Sequence, residues 1–218
     1  MKPSGLTVAV GIGIGLLFAP APARADYQYH WNRALTSRPP ELTVTSTAQP
    51  SFNSMGMRAY SGPVSLIGPS PGGATPQCHE VKTVVFPIFN EVNTVTHYVR
   101  ASPDASGPRN TGTFYSVSYR IINTEVSVTW YKRVNGSVTT LGNVVIGWRS
   151  SNPTLRTLIR PDNAIVAFVD DNMVSAVWDS SIPSGSPGFG IDYGNLYVST
   201  PTTSSTVSSR FPCPCPWV

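Results

Sequence analysis

Charge is scarce in this chain of 218 residues: Asp, Glu, Lys and Arg make up 12 % of it. The basic residues are scattered and form no stripe. The formal net charge of +4 therefore gives no footprint for nucleic acid. Glutamate is scarcer still, with Glu41, Glu80, Glu91 and Glu125 as the whole supply. No G-x-S-x-G elbow is present, so the usual nucleophilic serine turn is missing. Of the three cysteines none shares a paired spacing with another Cys or His, which argues against a zinc site with His79 as the fourth ligand. No metal and no cofactor are expected. Long helical patterns are absent, and 21 prolines with 18 glycines make long interior helices improbable. One apolar run stands out, Leu6 to Phe18, and it is shorter than the ~20 residues that a spanning helix needs. No membrane span is expected.

That run belongs to a recognisable export pattern. Lys2 gives a positive start, Leu6 to Phe18 is uncharged, and Pro20 and Pro22 break any helix. Ala23-Arg24-Ala25 then places small side chains where a signal peptidase accepts them. Residues 1–25 are expected to be a secretory signal peptide, cut after Ala25. Asp26 is no lipoprotein cysteine, so the mature chain is expected to be secreted or otherwise extracytoplasmic, in the periplasm or at the cell surface. Losing Lys2 and Arg24 halves the formal net charge. Export also makes the cysteines informative. Cys213 and Cys215 flank Pro214, an awkward geometry for a mutual bridge. A bond from Cys78 to either one would leave a spare thiol, and with it a route to a disulfide-linked partner.

Short runs rich in Val, Ile, Thr, Tyr and Phe, punctuated by Gly, Pro, Asn, Asp and Ser, predict many short strands. Asp26 to Pro40 reads as an irregular arm. Strands are expected at Glu41–Thr47, Val64–Ile67, Glu80–Phe86, Thr94–Ala101, Phe114–Ile122, Glu125–Arg133 and Val138–Ile146, then at Leu155–Arg160, Ala164–Val169, Met173–Trp178, Phe189–Tyr193 and Leu196–Thr200. Asn135-Gly136 is the clearest hairpin turn. In Glu125 to Trp130 the alternation puts Val126, Val128 and Trp130 on one face. Ala164 to Val169 is apolar on both faces, as suits a central strand. Trp130 and Trp178 are expected in the core. Residues 26–200 form one all-β sandwich on this reading, and 201–218 a Ser/Thr spacer with a Cys/Pro tail.

The stretch from Leu155 to Ile191 resembles the closing strands of the concanavalin A-like, laminin-G-like jelly rolls. Its features are a turn at Asp162-Asn163, Val169-Asp170-Asp171-Asn172 where that family has V-D-G or V-N-G, and a loop Asp179-Ser180-Ser181-Ile182-Pro183 with Gly185 and Gly188. Asn172 is expected to take the positive φ that the family's glycine supplies. Tyr115 to Leu141, with Val134-Asn135-Gly136, is similar to the preceding hairpin. The resemblance covers about Val95 to Thr200 and implies a jelly-roll β-sandwich of two antiparallel sheets. It speaks for fold, not for activity.

Enzymes on this fold carry motifs that this chain lacks. E-x-D-x-x-E, which aligns a nucleophile and an acid on one strand face, is absent. His97-Tyr98 has no Arg-rich or Tyr-rich partner strand of the alginate-lyase type. Asp170-Asp171 reads as a solvated turn. No catalytic residue is assigned. A carbohydrate site needs a ring to stack on a sugar and polar groups for its hydroxyls. Trp148 and Arg149 where a strand leaves for a loop, Tyr193 at a strand end, and Arg109 with Asn110 in a polar loop are the candidates. The expected function is a lectin-like binder of poly- or oligosaccharide without catalysis. One alternative is a structural or adhesive surface protein using sheet faces and the spare thiol. The other is a polysaccharide hydrolase or lyase whose site no motif reveals.

Overall fold

β-branched and aromatic runs between turn residues fold as strands along the whole described chain. The computed structural model describes residues 27–31, 42–46, 48–53, 56–59, 63–68, 79–87, 91–102, 112–147, 152–193, 197–199 and 205–209. Among them are sixteen strands and no helix. The first seven are β1 (Tyr27–Trp31), β2 (Thr43–Val44), β3 (Ser51–Asn53), β4 (Gly56–Arg58), β5 (Val64–Ile67), β6 (His79–Phe86) and β7 (Asn93–Ala101). Then follow β8 (Phe114–Ile122), β9 (Glu125–Val134), β10 (Ser137–Gly147), β11 (Thr154–Ile159) and β12 (Ala164–Val169). The last four are β13 (Asn172–Trp178), β14 (Ser186–Tyr193), β15 (Tyr197–Ser199) and β16 (Ser205–Ser209). No helix here is long and apolar enough to cross a membrane.

Two antiparallel sheets form. The seven-stranded sheet runs β10-β9-β8-β7-β14-β5-β2. The nine-stranded sheet runs β13-β12-β11-β6-β15-β4-β3, with β16 beside β6 and β1 beside β16. Two strands fall where the sequence reads as an irregular arm and a polar spacer: Tyr27–Trp31 pairs antiparallel with Ser205–Ser209. The first run does carry an alternating signal, Tyr27-x-Tyr29-x-Trp31, whereas Ser205–Ser209 has none. β16 is held between β1 and β6, which is tertiary context outweighing its polar local pattern.

The core lies between the sheets and follows the period-two alternation. Val126, Val128 and Trp130 point inward from β9 and are buried. Trp130 crosses the sandwich and donates its indole N–H to the Ile165 carbonyl at 3.1 Å. β12 is buried along its whole length, as expected of a strand flanked by β11 and β13. Trp178 does not join the core: it is 67 % exposed. It pairs with Ala164 at the end of edge strand β13, while Val177 takes the inward position and packs on the core. Asn135 and Gly136 make the expected hairpin turn, both with positive φ (48° and 85°). In the β12–β13 hairpin, however, the left-handed residues are Asp170 and Asp171 (φ 50° and 59°), not Asn172, which already pairs with Val169. This type of two-residue turn has positive φ at both central positions, and Asp tolerates it.

Candidate functional site

Strand β7 separates two polar environments. On its inner face His97 is fully buried. Its Nε2 lies 2.9 Å from the Thr83 hydroxyl and its Nδ1 3.0 Å from the Thr157 hydroxyl. The Tyr119 hydroxyl reaches Thr157 Oγ1 at 2.8 Å and donates to the Arg156 carbonyl at 2.7 Å. The rings of His97 and Tyr119 lie 5.1 Å apart. His97 and Tyr119 belong to the seven-stranded sheet, Thr83 and Thr157 to the other, so the group staples the sandwich. Burial lowers the His97 pKa to about 3 and raises that of Tyr119. Both stay neutral at ordinary pH, with their polar atoms spent on each other.

The Asp179 loop closes one end of the sandwich. Asp179 Oδ1 accepts from the Tyr115 hydroxyl at 2.6 Å and from the Ser181 amide at 2.9 Å. Its Oδ2 takes Lys132 Nζ at 2.7 Å. Burial alone would raise this carboxyl, but hydrogen bonds from Lys132, Ser181 and Tyr115 hold it well below the usual carboxylate range. The Ile182 amide donates back to Tyr115 Oη at 2.9 Å. Buried Arg100 donates to Asn163 Oδ1 and the Ile182 carbonyl, at 2.7 and 2.9 Å. The Asp-Ser-Ser loop is thus a structural clamp.

The outer face of the seven-stranded sheet is different. A groove of about 260 Å³ is lined by Thr94, Thr96, Tyr98, Phe114, Ser116, Ser118, Tyr131, Arg133, Val138 and Asp192. Alternation puts these side chains on one face, and pairing brings them side by side. Thr96 stands opposite Ser118 and Tyr98 opposite Ser116. Phe114 stands opposite Arg133 and Ser116 opposite Tyr131. The Tyr98 and Phe114 rings meet edge to face at 5.3 Å, and the Arg133 guanidinium lies 5.7 Å from the Phe114 centroid. Tyr98 lies close against β14, where a Cβ on Gly190 would sit 2.5 Å from the Val64 carbonyl and 3.3 Å from the Tyr98 ring. Only glycine fits there. Tyr131 is half-buried. Beyond the groove, Asn143 donates to Thr129 Oγ1 at 2.6 Å across β9 and β10.

Among the described residues, Asp192 is the one carboxylate in the lining. It stands at a bulge, where the register of β14 against β7 shifts between Ile191 and Tyr193. Its Oδ2 accepts a hydrogen bond from Thr96, and its buried Oδ1 has no hydrogen-bond partner among the described residues. Burial pushes its pKa up to about 6, the Thr96 bond pulling the other way. The charge of Asp192, after burial itself, helps hold the Tyr98 phenol protonated. No cluster of three metal-ligating side chains occurs among the described residues.

None of the groove residues was singled out by the sequence as a ligand site. The residues it did single out are not brought together here. Trp148, Arg149, Arg109 and Asn110 lie outside the described residues, as do Cys78, Cys213 and Cys215. Tyr193 ends β14 with its backbone paired to Thr94, and its side chain is likewise outside the description. A signal was available in Thr94-x-Thr96-x-Tyr98, Phe114-x-Ser116-x-Ser118 and Tyr131-x-Arg133, three alternating runs of hydroxyls and rings.

Two antiparallel sheets in this order, packed over one core, are the concanavalin A-like jelly-roll fold. Solved structures that share it include a carbohydrate-binding module, CBM66, from Bacillus subtilis, at TM-score 0.52 and 15 % identity over 73 % of this chain and 96 % of that one. The carbohydrate recognition domain of Emp47p matches at TM-score 0.53 and 13 % identity, over 83 % of this chain and 92 % of that one. That of Emp46p, in its potassium-bound form, matches at 0.54 and 13 %, over 83 % and 94 %. At such identities the likeness concerns the fold. No protein-family profile and no curated protein matches the chain in sequence.

Proposed function

We propose that this is an exported lectin-like domain that binds a saccharide in the outer-face groove without transforming it. The observation that carries the reading is the groove itself: a half-buried Tyr131 beside Ser116, Ser118, Thr94 and Arg133 on one sheet face. Such a surface offers a ring for the apolar face of a sugar and hydroxyls for its rim. Solved domains of the same fold that are named for carbohydrate binding or recognition support it. A paired-carboxylate hydrolase is less well served, because among the described residues the lining supplies Asp192 alone and glycoside hydrolysis uses two. Secretion through residues 1–25, and a disulfide from Cys78 to Cys213 or Cys215, complete the proposal. A glycan panel on the purified mature chain tests it. Binding that is lost in Tyr131→Ala supports the groove, and loss in Trp148→Ala instead moves the site to the strand-end loop. No binding to any glycan sinks the reading, and release of cleaved products revives an enzyme. An amino terminus at Asp26 in protein recovered from outside the cytoplasm checks export.

A further inference from the structure

Asp179 and Asp192 have opposite surroundings. Asp179 holds a lysine, a phenol and a backbone amide on its two oxygens. Asp192 holds one hydroxyl, that of Thr96. Its Oδ1 is buried, yet no described residue donates to it. The ion pairs among the described residues engage Asp162, Asp171 and Asp179, not Asp192. A buried carboxyl with one donor and no cation in contact favours its neutral acid. Burial accordingly pushes the Asp192 pKa up to about 6.

This acid lines the groove, at a bulge in β14. The other charged or titratable groups in the lining are Tyr98 from β7, and Tyr131 and Arg133 from β9. β8 brings Phe114, Ser116 and Ser118, and β10 brings Val138. Across β14, β5 sets the Ser65 hydroxyl 3.2 Å from that of Tyr98. Phenols and guanidinium groups keep their charge state through the mildly acid range. Asp192 is therefore the lining group whose charge changes there, and the donor that its Oδ1 lacks has to come from an occupant of the groove.

We propose that saccharide binding in this groove is coupled to a proton on Asp192: in mildly acid medium the empty groove holds the neutral acid, and a hydroxyl of the bound saccharide donates to the carboxylate and displaces the proton. The O–H bond of the acid breaks and its proton goes to solvent. The saccharide hydroxyl stays intact as a donor. A hydrogen bond to a charged acceptor is stronger than one to a neutral acceptor, so the saccharide selects the carboxylate. By linkage its affinity falls as the medium turns acid, and the groove releases what it holds. The coupling rests on the saccharide reading above.

Calorimetry of the strongest panel glycan in mildly acid buffers of different ionisation enthalpy counts the protons released. The expected result is about half a proton or more per site, with affinity about tenfold weaker at pH 5 than at pH 7. Asp192→Asn should release no proton and should bind with an affinity that no longer changes with pH. Binding without proton release, or a pH dependence that survives in Asp192→Asn, overturns the coupling and leaves the saccharide reading standing. No binding to any glycan overturns both. Should Asp192→Asn fail to fold, carboxyl carbon-13 titration of the unaltered chain decides. The Asp192 midpoint should move down when the same glycan is added, and an unmoved midpoint overturns the coupling.

Discussion

The two faces of β7 solve opposite problems with similar residues. Inside, His97 meets Thr83, Thr157 and, through Thr157, Tyr119, and both ring nitrogens are matched. Outside, one residue along, Thr96 and Tyr98 meet Asp192, Ser116 and Phe114, and one carboxylate oxygen stays unmatched. A polar group whose partners all come from the two sheets adds uniqueness to a core. A polar group left short of partners beside an open groove adds a place where something else can bind. The difference is the reason the proposed saccharide site is placed on the outer face.

The largest expected effect breaks the inner side. His97→Ala removes a packed ring and strands two threonine hydroxyls, and should cost about 3–5 kcal/mol in denaturant unfolding. Glycan affinity of the remaining folded protein should be unchanged. Asp179→Ala opens the loop clamp, leaves Lys132 without its carboxylate and leaves Tyr115 with the residue 179 backbone carbonyl as acceptor. It should cost about 2–3 kcal/mol by the same measurement.

The faces also differ in sign with pH. The folded pKa of His97 is lowered from 6.5 to about 3. The unfolded chain therefore binds the extra proton between those values, and stability falls as pH drops through that window. The folded pKa of Asp192 is raised from 3.8 to about 6. The folded chain binds the extra proton there, so stability is fullest below 3.8 and declines as pH rises towards about 6. Asp192→Asn should abolish that second decline, which is on the order of 3 kcal/mol, and leave the acid-side loss intact. Thermal melts from pH 3 to 8 would show it, and an unchanged profile would remove Asp192 from the account. The smallest effect on the fold concerns the outer ring. Tyr131→Ala should change stability by less than about 1 kcal/mol and weaken saccharide binding by about tenfold or more.

Much of the fold is legible in the sequence because local signals and tertiary structure agree. Val64–Ile67, Phe114–Ile122 and Ala164–Val169 have the bounds their composition suggests, and Asn135-Gly136 turns as its residues require. Trp178 fails because an aromatic on a strand says nothing about whether that strand is an edge. Ser205–Ser209 fails because a polar run becomes a strand only between β1 and β6, and Tyr27–Trp31 fails because its partner strand lies at the far end of the chain. The site is harder to see for a related reason. Serine and threonine on alternate positions read as an ordinary solvated face until pairing sets β7, β8 and β9 side by side. Asp192 comes from β14, which returns to β7 from far along the chain, and a bulge interrupts the pairing at its position. Neither long-range pairing nor a bulge leaves a mark in composition.

Titration calorimetry of the strongest panel glycan into the unaltered chain, Tyr131→Ala and His97→Gln tests the division between the faces most directly. The outer-face account predicts saturable binding, a loss of about tenfold or more in Tyr131→Ala, and an unchanged affinity in folded His97→Gln. Equal affinity in Tyr131→Ala, or a binding loss confined to His97→Gln, would contradict it.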